Sequence, residues 1–447
     1  RGILSGEPHS SRSPSTRQYA TDILVQITTP EVLAAMRMMK HSAPGPDKLP
    51  FTFVWKYRDT LAPHIAHACT QALKGVPNAL RQAETLLFAK TTPPSTQPHE
   101  YRPITLLPTL VRILHKVLDC RLRAEILGDE KTPLEQRMRS SKIHMCQAGF
   151  QRRRSAFDHA FLLHVLLNAQ HSKQANNCLY AVFLDIYKAF DSLDHGHLLD
   201  MMEQNLGLDP QWLEIVRRLL MDNTTRLCGV VLSSTIGAFQ GSPLSPLFCL
   251  IYMDDLARDL LEFFKERAFK APLSFPQVPN LDENQLLVVL LLFADDILAL
   301  GLTPSDLQLV VERIARWATR RGIKLSPKSF AAVLAGSGEV PQHLPPLHAQ
   351  GIHIAWHTDI DRFIDYLGVP FRAYHKHWHS DAPFEIDRRE LDRVVHSIRS
   401  LCFTNRGTRV IHVPSIVNAT HQLLYNKALY PTAVVDVNYK QLDSMVY

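Results

Sequence analysis

Two adjacent carboxylates, Asp295 and Asp296, stand between the apolar runs Leu287–Leu292 and Ile297–Gly301. Such runs read as the arms of a β-hairpin with the aspartates at its tip. An Asp pair among apolar residues is costly unless it finds partners or a cation, so this position could bind metal. The other reading is an ordinary polar turn, which Asp also favours. A second acid bears on the choice. Tyr180–Leu184 has the pattern of a buried strand, ends at Asp185, and leads through a turn to a helix expected to begin near Leu193. Mg²⁺ takes one or two carboxylates together with substrate phosphates, and two-metal phosphoryl transfer needs carboxylates converging on the two ions. Asp185 and Asp295 meet that need if their strands are neighbours in one sheet.

Further blocks follow a fixed order: Ala43-Pro-Gly-Pro-Asp47, Tyr101-Arg-Pro-Ile-Thr-Leu-Leu107, Gln147-Ala-Gly-Phe150, Phe183–Asp191, Gln240-Gly-Ser-Pro-Leu-Ser-Pro246, Phe293–Asp296, Gly322–Lys328 and Tyr366-Leu-Gly368. Over roughly residues 40–430 this series resembles the reverse transcriptase of LINE-type (non-LTR) retrotransposons. The resemblance implies an α+β right-hand polymerase: fingers at 29–177, a palm of antiparallel sheet and helices at 178–372 with inserted loops, and a helical thumb at 384–447, cut short at its end. Within the palm, Pro304–Arg321 reads as a helix and the Pro-rich stretches Ala271–Glu283 and Ser337–His348 as surface insertions, while Arg388–Leu401 and Gly407–Tyr425 read as helices with apolar periodicity. Residues 1–28, with a Ser/Pro/Arg-rich stretch at Ser5–Thr16, are expected to be disordered. The implied activity is RNA-directed DNA synthesis on an RNA template. The substrates would be dNTPs added to a DNA primer or nicked target DNA, inside the cell and in the nucleus during integration.

By the same resemblance Asp185, Asp295 and Asp296 hold two Mg²⁺ ions, with Asp296 the less direct ligand. Phe190 takes the place of an aromatic gate against the ribose 2′-hydroxyl, the alternative being a core ring at the strand-to-helix bend. Gln240 and Gly241 would contact nucleotide and template, although Ser242-Pro243 also reads as a helix N-cap and first helical residue. Lys90 and Arg102 would grip triphosphate oxygens, and Lys328 would donate a proton to pyrophosphate. Lys328 stands one residue earlier than the usual lysine, with Ser329 in its place. Arg152, Arg153 and Arg154 could track template phosphates, or form a solvated charge run. Asp191 reads as a helix-start residue.

Tyr252-Met253-Asp254-Asp255 spells the catalytic tetrapeptide of retroviral enzymes, but it falls within a continuous helical pattern from Leu247 to about Phe264. Asp254 and Asp255 are therefore expected to be solvated helix residues.

The composition permits this reading without proving it. At 447 residues and 46% hydrophobic content the chain can bury a large core, and its net charge of +6 allows nucleic-acid binding. Seven cysteines without a C-x-x-C pair form no zinc framework. The longest apolar run, Leu286–Phe293, is too short to span a membrane. The chain starts at Arg1 and stops at Tyr447 as a piece of a longer protein would, and neither end is expected to supply an endonuclease. Two other readings are a decayed or domesticated RNA-binding remnant and an RNA-dependent RNA polymerase.

Overall fold

The computed structural model describes residues 26–90, 94, 96–97, 100–128, 140–172, 178–221, 223–267, 290–335, 343–357 and 363–372. The expected helices at Arg388–Leu401 and Gly407–Tyr425, the whole thumb region and residues 1–25 lie outside this set.

A capping box starts the first helix, α1 (Thr29–Met38): the Thr28 hydroxyl accepts from the Glu31 N–H, and the Glu31 carboxylate accepts from the Thr28 N–H at 2.9 Å. Ile27, just before the cap, is 0% exposed. The segment expected to be disordered therefore ends in the core, because the first helical turn needs an apolar anchor ahead of its cap. Helices α2 (Phe51–Lys56), α3 (Arg58–Lys74) and α4 (Thr109–Leu127) share the same core with α1. Arg121 of α4 pairs with Glu31 at 2.6 Å and ties the two helices together.

Strands β1 (Gln82–Ala89) and β2 (Tyr101–Leu106) pair antiparallel. With the later strands β4 (Thr224–Leu227) and β5 (Val230–Ser233) they form a sheet in the order β2-β1-β4-β5. Thr85 joins three of these strands, its hydroxyl 2.9 Å from that of Thr105 and 2.7 Å from that of Thr225.

The central sheet has the order β6-β7-β3-β8-β10-β9, and its key strand is β3 (Leu179–Leu184), buried along its whole length. Its flanks are β6 (Leu290–Phe293) and β7 (Asp296–Gly301) on one side, and β8 (Phe330–Ala335), β9 (Leu347–Ala349) and β10 (Ile352–His357) on the other. Tyr180, Val182 and Leu184 face one apolar cluster, while Leu179, Ala181 and Phe183 face a second. Both faces are covered, so β3 is continuously apolar rather than alternating. Helix α5 (Ala156–Ser172) and a small hairpin, β11 (Phe363–Tyr366) with β12 (Val369–Arg372), join the second cluster. The other face carries α6 (His195–Asp200), α7 (Pro210–Leu220), α8 (Ser245–Arg267) and α9 (Pro304–Arg320). On α9, Leu307, Val310, Val311, Ile314, Trp317 and Ala318 are buried at the spacing of one helical face, behind a Thr303 cap and Pro304.

Three local expectations change. Asp194, not Asp191, caps α6, its carboxylate accepting from the His197 N–H at 2.8 Å. Helix α8 begins at Ser245, so Ser242-Pro243 is a turn before it; the Ser242 hydroxyl is held 2.9 Å from His115 Nδ1 instead. Within the insertion expected at Ser337–His348, Leu347 and His348 belong to β9 and extend the sheet edge. The other insertion, 271–283, lies outside the described residues. Among the described residues, no helix is long and apolar enough to cross a membrane.

Candidate active site

Strand pairing brings the three acids together. β3 and β7 run antiparallel with Leu184 opposite Ile297, so Asp185 emerges beside the end of β7 where Asp296 begins. β6 and β7 are joined by Ala294 and Asp295 alone, with Phe293 opposite Asp296. Asp185 is fastened by its backbone: its N–H donates to the Ser329 hydroxyl at 3.3 Å, and its carbonyl accepts from the Ser326 N–H at 2.7 Å.

The electrostatics are those of crowded, unneutralised acids. Burial raises the Asp295 pKa, and the neighbouring Asp185 adds to the rise. Asp296 opens onto a cavity, yet desolvation by its walls, then Asp295, Asp185 and Asp365, push its carboxyl up to about 6. Among the described residues, no cationic side chain forms an ion pair with Asp185, Asp295 or Asp296. Nor, among those residues, do three acidic, His or Cys side chains enclose a metal position by themselves. Such a donor set suits a hard cation that takes one or two carboxylates and completes its shell with water and phosphate. The adjoining cavity, about 330 Å³, is lined in part by Asp185, Asp296, Lys328, Asp365 and Tyr366.

Lys328 is exposed at this cavity, whereas Ser329 is buried and spends its hydroxyl on Asp185. The apparent one-residue displacement of the lysine thus leaves its side chain on the side of the acids. Phe190 is half-buried beyond Asp185, and its ring meets Phe150 edge to face at 6.0 Å. The Ala238 N–H donates to the Phe190 carbonyl at 2.8 Å, and the Gln240 amide donates to Asp191 at 3.3 Å. Burial raises the Asp191 pKa, while Gln240, Lys188 and Lys90 oppose the rise, so Lys90 lies within electrostatic reach of this turn. From the other sheet, the Thr105 N–H donates to the Gln240 carbonyl at 2.7 Å. Gly241 has φ 140°, and a Cβ there would overlap the Thr105 carbonyl oxygen. Arg102 is exposed on β2 opposite Phe88, three residues before Thr105.

The three arginines separate. Arg152 is exposed on an open groove of about 650 Å³ that also touches Lys40, Lys116, Arg123, Phe150 and Gly241. Arg153 is exposed with φ 62°. Arg154 turns inward and donates to the carbonyls of Met145 at 2.8 Å and Gln147 at 3.0 Å.

Asp254 and Asp255 are not solvated. They are 1% and 8% exposed, because α8 runs through the interior rather than along the surface. Asp254 accepts from the His144 N–H at 2.6 Å and pairs with Arg258 at 2.7 Å. Asp255 accepts from Asn205 at 2.8 Å, from the Trp317 indole at 2.8 Å and from Arg321 at 3.0 Å. Every oxygen of this pair is taken by a protein donor, as buried carboxylates require.

Residues without an assigned role in the sequence blocks also meet here. Gln147, 0% exposed, bonds the Ala294 backbone, and Tyr366 and Asp365 wall the cavity. The blocks Gln147–Phe150 and Tyr366–Gly368 were the available signal, but strand patterns do not reveal which turn a distant side chain reaches.

Residues 89–371, well over half of the chain, match the family described as Reverse transcriptase (RNA-dependent DNA polymerase). The chain belongs to that family. It is 26% identical over 355 residues to the Retrovirus-related Pol polyprotein from type-2 retrotransposable element R2DM of Drosophila melanogaster, covering 77% of this chain and 30% of that protein. Similarity to the Transposon TX1 uncharacterized 149 kDa protein of Xenopus laevis is 26% over 358 residues, 78% of this chain and 24% of that protein. With the RNA-directed DNA polymerase from mobile element jockey of Drosophila melanogaster the identity is 25% over 271 residues, 58% of this chain and 26% of that protein. The chain therefore spans less than a third of the length of these relatives.

Proposed function

We propose that this chain is the polymerase module of a non-LTR retrotransposon, copying RNA into DNA by adding dNTPs to the 3′-hydroxyl of a DNA primer or nicked target. The observation that carries this reading is the meeting of Asp185 with the Asp295–Asp296 hairpin, beside a turn that holds Phe190 and Gln240. In this reading the central sheet is the palm, helices α1–α4 with the four-stranded sheet are the fingers, and the thumb belongs to 384–447.

Asp185 and Asp295, with Asp296 in support, would hold two Mg²⁺ ions. Bound there, such ions activate the primer hydroxyl and neutralise charge on the triphosphate and the departing pyrophosphate. The crowding of unpaired carboxylates supports this, since a cation would relieve their repulsion.

The protein's own groups supply position and selectivity. Phe190, braced by Phe150, would close the space that a ribose 2′-hydroxyl needs. Gln240 and Gly241 lie where the Thr105 strand and the Asp191 turn converge, so nucleotide and template would be read against that backbone. Arg102 and Lys90 would meet triphosphate oxygens, and Lys328, exposed on the acidic cavity, would protonate the leaving pyrophosphate. Arg152 and Arg153 remain suited to template phosphates; Arg154 serves that role less well, being engaged with two carbonyls.

The test is extension of a DNA primer annealed to RNA by the purified chain in Mg²⁺, with dNTPs and rNTPs in separate reactions. Extension with dNTPs, lost in Asp295→Asn, is expected. Preferential use of rNTPs would make the chain an RNA polymerase, and RNA binding without extension would make it a remnant.

A further inference from the structure

The turn carrying Asp295 is held by one buried side chain. Ala294, the residue before Asp295, has φ 58°, a conformation unfavourable for any residue with a Cβ. A two-residue hairpin connection often demands such a value, and glycine or asparagine is the easier choice. Something must therefore hold Ala294 in place. The Gln147 amide NH₂ donates to the Ala294 carbonyl at 3.2 Å, and its carbonyl oxygen accepts from the Ala294 N–H at 3.1 Å and the Gly149 N–H at 2.8 Å. One carboxamide thus satisfies both backbone groups of Ala294.

The backbone around Gln147 continues the grip. The Leu292 N–H donates to the Cys146 carbonyl at 2.9 Å, and the Ala148 N–H donates to the Leu292 carbonyl at 2.9 Å, so 146–148 lies along β6. Gly149 comes so close that a Cβ there would overlap the Ala294 nitrogen. Behind it, Gln151 and Arg154 both donate to the Gln147 carbonyl, at 2.6 and 3.0 Å, and Asp254 holds the His144 N–H.

We infer that Gln147 is a positioning residue for the metal-binding carboxylate of Asp295, setting the peptide planes on both sides of Ala294 and hence the direction in which Asp295 leaves the turn. This rests on the assignment of Asp295 as a metal carboxylate. A glutamine that merely satisfied core polar groups would contribute to folding but not to the affinity of the acids for a cation.

The experiment uses the full chain with Gln147→Met, which keeps the length and apolar volume but removes all three hydrogen bonds, alongside wild type and Asp295→Asn. Mn²⁺ affinity is read from the electron paramagnetic resonance signal of the free ion, and kcat and KM come from primer extension. Gln147→Met is expected to lose roughly 10- to 100-fold in Mn²⁺ affinity and in kcat, as supporting partners of metal ligands do, while the KM for dNTPs changes little. If Asp295→Asn abolishes Mn²⁺ binding and extension but folded Gln147→Met binds Mn²⁺ like wild type, the inference is overturned and the site assignment stands. If Asp295→Asn itself binds and extends normally, the site assignment falls first. Should Gln147→Met not fold, Gln147→Asn carries the test with the same readouts, since its amide is withdrawn by one methylene from Ala294.

Discussion

Phe150 and Phe190 meet edge to face with ring centroids 6.0 Å apart, joining the block that grips the Ala294–Asp295 turn to the bend that follows Asp185. The contact restrains a half-buried ring at the bend after Asp185, and if that ring is the proposed gate its removal should relax selectivity. Phe190→Ala is expected to raise the ratio of rNTP to dNTP kcat/KM by about tenfold or more, the scale on which a removed steric contact alters selectivity. Phe150→Ala should shift the ratio in the same direction by less. An unchanged ratio in a folded Phe190→Ala protein would leave Phe190 as core packing only.

Asp295→Asn and Asp254→Asn should part company. The first removes charge from the unpaired acidic group and is expected to abolish extension with little loss of stability. The second keeps the acceptor for the His144 N–H but leaves Arg258 without its buried partner. A cost of roughly 1–3 kcal/mol in stability is expected. The folded fraction should retain extension. Denaturant melts beside primer extension measure both, and a stable but inactive Asp254→Asn would contradict this division.

Metal and pH should act through Asp296. Its pKa is raised from 3.8 to about 6 in the folded protein. The folded state therefore binds more protons than the unfolded state between these values, and stability falls as pH rises from about 4 through about 6. Asp296→Asn should flatten that segment of a Tm-against-pH curve measured in chelator. Mg²⁺ above pH 6 should raise Tm in wild type and far less in Asp295→Asn, because the ion relieves the same repulsion.

Gly241→Ala tests the junction between β2 and the turn before α8. Its Cβ would overlap the Thr105 carbonyl oxygen at a backbone φ of 140°, and neither β2 nor the Gln240–Gly241 turn can yield without disturbing the bond between Thr105 and the Gln240 carbonyl. The expected result is a loss of about 1–3 kcal/mol in stability, the range for residues forced into strained backbone, and a KM for dNTPs that rises more than kcat falls. A wild-type KM would show that this backbone does not contact the nucleotide.

The acidic hairpin, the strand ending at Asp185 and the α9 helix were legible because each is a local pattern: apolar runs flanking Asp295 and Asp296, Tyr180–Leu184 leading into Asp185, and Thr303-Pro304 ahead of a helical apolar face. The order of the blocks was enough to propose roles for Phe190 and Gln240, which the fold places at adjoining turns. Burial of α8 was not legible. Asp254 and Asp255 look like surface acids in a helical pattern, and only the packing of Asn205, α9 with Arg321 and the 140–149 segment around α8 brings in the distant donors that make their burial affordable. Likewise Ser242 loses its expected capping role to His115, and Arg154 turns to backbone carbonyls, because partners distant in sequence compete for the same groups. Gln147 stands 147 residues from Ala294. Its reach to that turn depends on 146–148 lying along β6, a long-range arrangement that propensity and spacing do not encode, since hydrogen bonds between distant segments form only when the fold brings them together.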